Sequence, residues 1–329
     1  MRATGENTDA APQSATNGNG FTTSAHLRTS FTTRPHASRI RPAPATVVLA
    51  GTVPDPLLSS RARGWHGLTV ELHSFHQLDT VVQPADHVIS VHLAGTVNLQ
   101  RTRNGRTKVR KMAPGDVAIT PIGPAVRWAQ SSQSLVILLR LAPAYISRVA
   151  GDECALDPDR FELRDVFAAR DTTIEDSARG LLAALELEGA DSLLHVDTLT
   201  CELAIHLLRS YATTGVREWP KSRLSPHKLR RAIEFIDENL GRPVTLAALA
   251  EAVTLSPGHF AHAFREATGV APHRYVVERR VELAKALLRQ SDLPITEIAD
   301  RIGCSSHSHF SVLFHRVTGL TPRQFRALD

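Results

Sequence analysis

The chain has 329 residues, 42% of them hydrophobic and 22% charged, an ordinary globular make-up with length for about two separately cored domains. No apolar run approaches the ~18 residues of a membrane span, and the N-terminus lacks the hydrophobic segment of a secretory signal, so a cytoplasmic protein with no membrane partner is expected. Charge is uneven: net +3 over residues 1–50, −3 over 51–220 and +5 over 221–329. A basic end beside a mildly acidic middle suits contact with a polyanion, although a solvated basic surface would look the same.

Residues 1–44 are rich in Thr, Ser, Asn, Ala, Pro and Arg, without periodicity, which predicts a disordered tail. Residues 45–142 predict short strands. Val70-Glu71-Leu72-His73-Ser74-Phe75 roughly alternates, and Val88 to Leu93 precedes a turn at Ala94-Gly95. Val97 to Gln100 leads to Asn104-Gly105, a strong hairpin signal. Pro114-Gly115-Asp116 and Pro121 to Pro124 break the chain again before a nearly all-apolar stretch, Leu135 to Leu141. Turns every ~10 residues imply a barrel or sandwich.

Residues 143–220 turn helical. Ile174, Ala178, Leu181, Leu182 and Leu185 share one face; Leu199, Leu203, Ile205, Leu207 and Leu208 form the next segment. This hairpin has more apolar surface than one partner helix hides, which predicts a homodimer interface. Glu218-Trp219-Pro220-Lys221 reads as a linker to residues 221–329. The cysteines, Cys154, Cys201 and Cys304, match no metal spacing and are expected to be reduced thiols.

The last 110 residues hold an internal repeat with a period of about 50. Leu246, Leu249, Ala250 and Val253 are spaced as Ile295, Ile298, Ala299 and Ile302 are, one buried stripe of a short helix in each copy. After a break, Ser256 and Ser305 or Ser306 are ready N-caps, and Pro257 suits a first helical turn. Phe260, Ala263, Phe264 and Ala267 are then matched by Phe310, Leu313, Phe314 and Val317. Each second helix ends at Thr-Gly, Thr268-Gly269 and Thr318-Gly319. Two short helices joined by a tight turn make a helix-turn-helix, present here twice. Tyr275 to Gln290 reads as a rigid helix between the copies, as two recognition helices in grooves ~34 Å apart would need.

These residues resemble the C-terminal domain of the AraC/XylS family of bacterial regulators. The resemblance covers about residues 227–327 and is sharpest at Arg280 to Leu288, Ile295 to Ala299, Ser308-His309-Phe310 and Gly319-Leu320-Thr321-Pro322. It implies an all-α double helix-turn-helix that binds double-stranded promoter or operator DNA asymmetrically and contacts RNA polymerase. The sequence departs from the family at Cys304, where an aromatic is common, and at His262 and Val312, where Arg is frequent. The base-facing candidates are Gly258, His259, Ala261 and His262 on the first recognition helix, and His307, Ser308, Ser311, Val312 and His315 on the second. Arg265, Arg280, Arg316 and Arg323 flank these faces as phosphate candidates. His259 and His262, or His307 and His309, have no third ligand at a plausible spacing, so no metal is expected.

The strand-rich region resembles, more weakly, the cupin-like sensor barrel common in this family. Gly115-Asp116 and Pro121-Ile122-Gly123 match the second cupin motif, but Val126 stands where a metal-binding His is expected, and His87 and His92 are five apart. That disfavours a metal-dependent cupin enzyme. A barrel of this size encloses one small effector, with His73, His92, Arg127 and Trp128 as candidate lining and packed strand residues as the plain reading. The expectation is an α+β multidomain regulator with no catalytic residues and no cofactor. Its alternatives are a ligand-independent regulator with a degenerate dimerisation barrel, and a cupin enzyme with an accessory DNA-binding domain.

Overall fold

The computed structural model describes residues 47–157, 160–186, 190–213, 224–290, 292–304 and 306–328. The predicted tail and the linker at Glu218 to Lys221 lie outside them. The described residues belong to one compact unit.

Ten strands come first: β1 (Val47–Ala50), β2 (Leu58–Ser59), β3 (Leu68–Phe75), β4 (Leu78–Gln83), β5 (His87–Ala94), β6 (Val97–Arg103), β7 (Arg106–Met112), β8 (Asp116–Thr120), β9 (Val126–Gln130) and β10 (Ser134–Leu141). After α1 (Pro143–Cys154) comes β11 (Val166–Arg170), a strand inside the stretch expected to be all helical. The pairing is antiparallel in two sheets, ordered β1-β4-β9-β6-β7 and β11-β8-β5-β10-β3-β2. The β architecture thus follows the sequence, but among the described strands the form is two facing sheets, not one closed barrel. The predicted turn at Asn104-Gly105 joins β6 to β7, with Arg103 paired to Arg106 and both turn residues at positive φ, the backbone that an Asn-Gly turn supplies.

The six-stranded sheet is buried on both faces, which is why β10 reads as continuously apolar. Ile137, Leu139 and Leu141 of β10, Leu68 and Val70 of β3, and Ile89 and Val91 of β5 point to the helices. Val136, Leu138 and Arg140 of β10, with Glu71 and His73 of β3, line an inter-sheet cavity on the other face. The helical side is closed by α1, α2 (Thr172–Glu186) and α3 (Ala190–Tyr211), through Ile146, Ile174, Ala178, Leu181, Leu203 and Leu207. The far side of α3 packs on the C-terminal helices, where Leu194 and Cys201 join a second core. The surplus apolar surface that suggested a dimer is therefore covered within the chain.

The C-terminal region consists of α4 (Pro226–Glu238), α5 (Leu246–Ala252), α6 (Pro257–Thr268), α7 (Pro272–Gln290), α8 (Ile295–Arg301), α9 (His307–Thr318) and α10 (Pro322–Arg326). The repeated stripes become two cores. Leu246, Leu249, Ala250, Val253, Phe260 and Phe264 pack with α4 and Val276. Ile298, Ala299, Ile302, Phe310 and Phe314 pack with Val281, Ala284 and Leu288. Helix α7 is thus shared, its first half serving one core and its second half the other. Phe264 meets Tyr275 edge-on at 5.3 Å and Phe314 meets Phe325 at 5.4 Å, so even the aromatic after each Thr-Gly stop has the same task. Gly269 and Gly319 cap the second helices at φ 79° and 77°, the left-handed backbone that favours glycine.

Arg280 corrects one expectation. Its side chain is buried, donating from Nε to the Leu240 carbonyl at 2.9 Å and from Nη2 to the Arg242 carbonyl at 2.7 Å. A guanidinium satisfied in this way cannot reach a phosphate; it ties α7 to the α4–α5 turn. Arg280→Met leaves two carbonyls without their donor and is expected to cost about 3 kcal/mol in urea unfolding.

Candidate nucleic-acid interface and ligand cavity

Among the described residues nothing covers the outer face of α9. Ser306 caps the helix by accepting from the His309 N–H at 3.1 Å. His309, Phe310 and Phe314 turn inward, whereas His307, Ser308 and His315 are exposed and Ser311 is half-buried. Val312, 59% exposed, stands among these polar groups, an apolar residue that its own core does not claim.

Helix α6 is different. His262 and Arg265 are exposed and His259 is half-buried, but Gly258 and Ala261 are buried. The two expected to face outward lie instead against α1 and α3. Ser256 stands at the N-cap with extended backbone yet does not cap its own helix. Its hydroxyl donates to Glu153 Oε2 at 2.7 Å. The Gly258 N–H donates to Glu153 Oε1 at 2.7 Å, and the His259 N–H to Oε2 at 3.0 Å. Glu153, at the end of α1 and only 5% exposed, thus supplies the cap that the local serine does not. No sequence pattern announces this contact, because its partners lie more than a hundred residues apart.

The remaining cations fall into two groups. Arg316 and Arg323 are exposed at the far end of α9 and the start of α10. Arg265 is exposed too, with Glu202 of α3 3.8 Å from its Nη1.

Between the sheets lies a cavity of about 310 Å³. His73, His92 and Trp128 line it, as expected; Arg127 does not. Strand alternation turns Arg127 outward, where it holds Asp79 through two hydrogen bonds of 2.7 and 2.6 Å. The sequence reading missed Glu71 and Arg140, which organise the polar end. Arg140 Nε donates to Glu71 Oε2 at 2.9 Å, and Arg61 lies 2.8 Å from Oε1. Burial alone would raise the Glu71 pKa, but the His73 hydrogen bond and the charges of Arg140 and Arg61 prevail and hold it at about 2. An acidic residue at a buried register of a strand was the available signal. Phe75, Leu78, Leu99 and Val136 make the rest of the wall apolar. His73 Nδ1 and His92 Nδ1 are buried with no hydrogen-bond partner among the described residues.

Two helix-turn-helix units on one shared helix define a tandem helix-turn-helix protein, and the comparisons agree. Residues 249–328 match the helix-turn-helix domain family. The chain is 32% identical over 92 residues to LumQ of Photobacterium leiognathi, covering 28% of this chain and 37% of LumQ. It is 30% identical over 158 residues to the transcriptional activator RhaS of Salmonella schwarzengrund, covering 47% of this chain and 55% of RhaS. It thus spans about half the length, or less, of these curated relatives. A solved AraC-type transcriptional regulator from Chromobacterium violaceum is 31% identical, with 31% of this chain and 90% of that chain covered and a TM-score of 0.30. Residues 249–328 thus carry a helix-turn-helix domain similar in sequence to those of these transcriptional regulators. Among the described residues no helix is long and apolar enough to cross a membrane.

Two buried histidines make stability depend on pH. Burial, against the opposing charge of Asp116, lowers the His92 pKa from 6.5 to about 4, and burial does the same to His87. Below the unfolded value the unfolded chain takes up protons that the fold refuses, so stability falls from pH 6.5 towards 4. Glu71, lowered, stabilises above about 4.5, and that contribution is lost as pH falls towards 2. Each histidine is expected to cost about 2 kcal/mol at pH 5 relative to pH 7. The urea midpoint should drop over that interval, and drop less in His92→Gln.

Proposed function

We propose that the protein is a sequence-specific DNA-binding transcription regulator, modulated by a small molecule held between its two sheets. The observation that carries this reading is the outer face of α9. A capped helix of a helix-turn-helix leaves His307, Ser308, Val312 and His315 uncovered, although its inner face is tightly packed. That is the geometry of a recognition helix for a major groove. Histidine and serine exchange hydrogen bonds with base edges, and Val312 suits a thymine methyl. Arg316 and Arg323 flank the face as phosphate contacts, with Arg265 beside the other recognition helix.

The cavity supports the effector half of the proposal. An apolar wall with a hydrogen-bonding end at Glu71, His73, His92 and Arg140 suits a compact molecule with an apolar body and a polar head. The two histidine nitrogens without partners are ready to bond that head. Val126, which stands where the cupin motif carries a metal-binding His, is a buried apolar residue, which favours sensing over catalysis.

The test is binding-site selection from random duplexes. Wild type is expected to enrich one sequence, with affinity falling steeply as salt rises. His307→Ala should alter the enriched sequence, and Arg323→Ala should weaken all sequences alike and reduce the salt slope by about 1. An unchanged selection in His307→Ala would remove α9 from the groove. A metabolite screen by thermal shift checks the effector: a ligand that raises Tm in wild type should do so less in His92→Gln.

A further inference from the structure

Many exposed cations of this molecule have acids beside them. Arg127 holds Asp79, Arg170 lies 2.8 Å from Asp116, and Arg179 and Arg301 each bind a glutamate one helical turn away. Strand β7 is different. Between Asp86 and Asp116 the sequence contains no acidic residue and six basic ones, Arg101, Arg103, Arg106, Lys108, Arg110 and Lys111. Arg101 and Arg103, on β6, both bind Asp165. Arg106, Lys108, Arg110 and Lys111, on β7, are exposed, and none of them has an acidic partner among the described residues.

Their placement is ordered. The pairing of Arg103 with Arg106 at the turn sets the parity of β7, so Arg106, Lys108 and Arg110 share one face and Lys111 stands on the other. Alternate residues of a strand are roughly 6.8 Å apart, so the three form a row about 14 Å long. Strand β7 is also last in its sheet, paired to β6 on one side only among the described strands. One or two charges are enough to keep such an edge from pairing with another copy. Here four stand within Arg106 to Lys111, uncompensated, in a stretch of the chain whose net charge is −3. They make a local positive potential well beyond what edge protection needs.

We propose that β7 is a second, sequence-independent DNA-contacting surface, on which Arg106, Lys108, Arg110 and Lys111 grip phosphates of a duplex segment other than the one that α9 reads. This rests on the DNA-binding reading above and adds a site to it. A row of cations suits a polymer with regularly repeated charge, and each strand of duplex DNA offers a phosphate every ~3.4 Å along its axis. Cations along an exposed edge meet phosphates before they meet base edges, so the contact gives affinity and salt dependence without sequence preference. The layers set the two surfaces apart. The six-stranded sheet and then α1 to α3 stand between the sheet of β7 and the C-terminal helices. At roughly 10 Å for each layer, the strand lies on the order of 30 Å from the helix-turn-helix units. A short duplex on α9 therefore leaves β7 free for another segment, and one molecule holds two stretches of DNA together.

The experiment uses the full chain and two duplexes. A short duplex enriched from a random library is fixed to a surface and loaded with protein, and capture of a second, labelled duplex of unrelated sequence is followed as salt rises. Wild type is expected to capture it at low salt, with log affinity falling against log salt at a slope of about −3.6 for four phosphates. Lys108→Thr with Arg110→Thr, which keeps strand propensity, is expected to capture about tenfold less and to lose about 2 from the slope. Its affinity for the fixed duplex should stay within about twofold, because distant sites act independently. The urea midpoint should not move, since both side chains are exposed. If the double variant does not fold, Lys108→Glu carries the test and should lower capture at least as much as one neutral substitution. Undiminished capture by the folded variants overturns the second surface while DNA binding through α9 stands. Capture of labelled polyglutamate in place of the duplex assigns β7 to an acidic protein and overturns it equally. If wild type retains neither duplex, the DNA reading fails, and the second surface with it.

Discussion

A buried carboxylate, Glu153, joins the two halves of this molecule. It lies at the end of α1, accepts three hydrogen bonds from the first turn of α6, and does so in a site that water scarcely reaches. Charge-assisted bonds of this kind are strong because the helix dipole and the N–H groups both favour the anion. Removing either side would leave the other buried and unpaired. The position of α6 against α3, the burial of Gly258 and Ala261, and the difference between a covered α6 and an open α9 all follow from that contact.

Within the C-terminal region the governing element is α7. It is long enough to give Val276 to one core and Val281, Ala284 and Leu288 to the other, so the two units cannot shift independently. Arg280 sits near the middle and binds the carbonyls of Leu240 and Arg242. A cation inside a helical domain is costly unless its donors are satisfied. Here they lock the shared helix to the first unit. Arg280 is thus a structural residue within a stretch that also marks the family, and it holds the distance on which paired recognition would depend.

The N-terminal half shows why strand parity matters. One strand, β10, gives alternate residues to a helical core and to the cavity between the sheets. The same parity separates Trp128, which lines the cavity, from Arg127, which turns away to Asp79. Candidate lining could be proposed from residue type, but only the pairing registers decide which of two neighbours faces in. Glu71 carries a signal alone, an acid at a buried strand register, but Arg140 does not; its meaning comes from standing beside Glu71 on the adjacent strand.

Much was therefore legible in the sequence. Repeated stripes at helical spacing, Thr-Gly stops and a following aromatic specify two copies of one unit, since local periodicity and caps act over a few residues. Alternation and turn residues specify the strands for the same reason. What tertiary structure decided was every contact between distant parts of the chain: β11 joining the sheet, the surplus apolar face of α3 covered by α6 and α7, and Arg280 turned inward. Above all it decided the fate of the two helix-turn-helix units. Their buried stripes are equivalent and their outer faces both looked available, but one meets a carboxylate from another domain and the other does not. A contact between residues so far apart leaves no local pattern, because it is selected by the shape of two finished surfaces rather than by the conformational preferences of either segment.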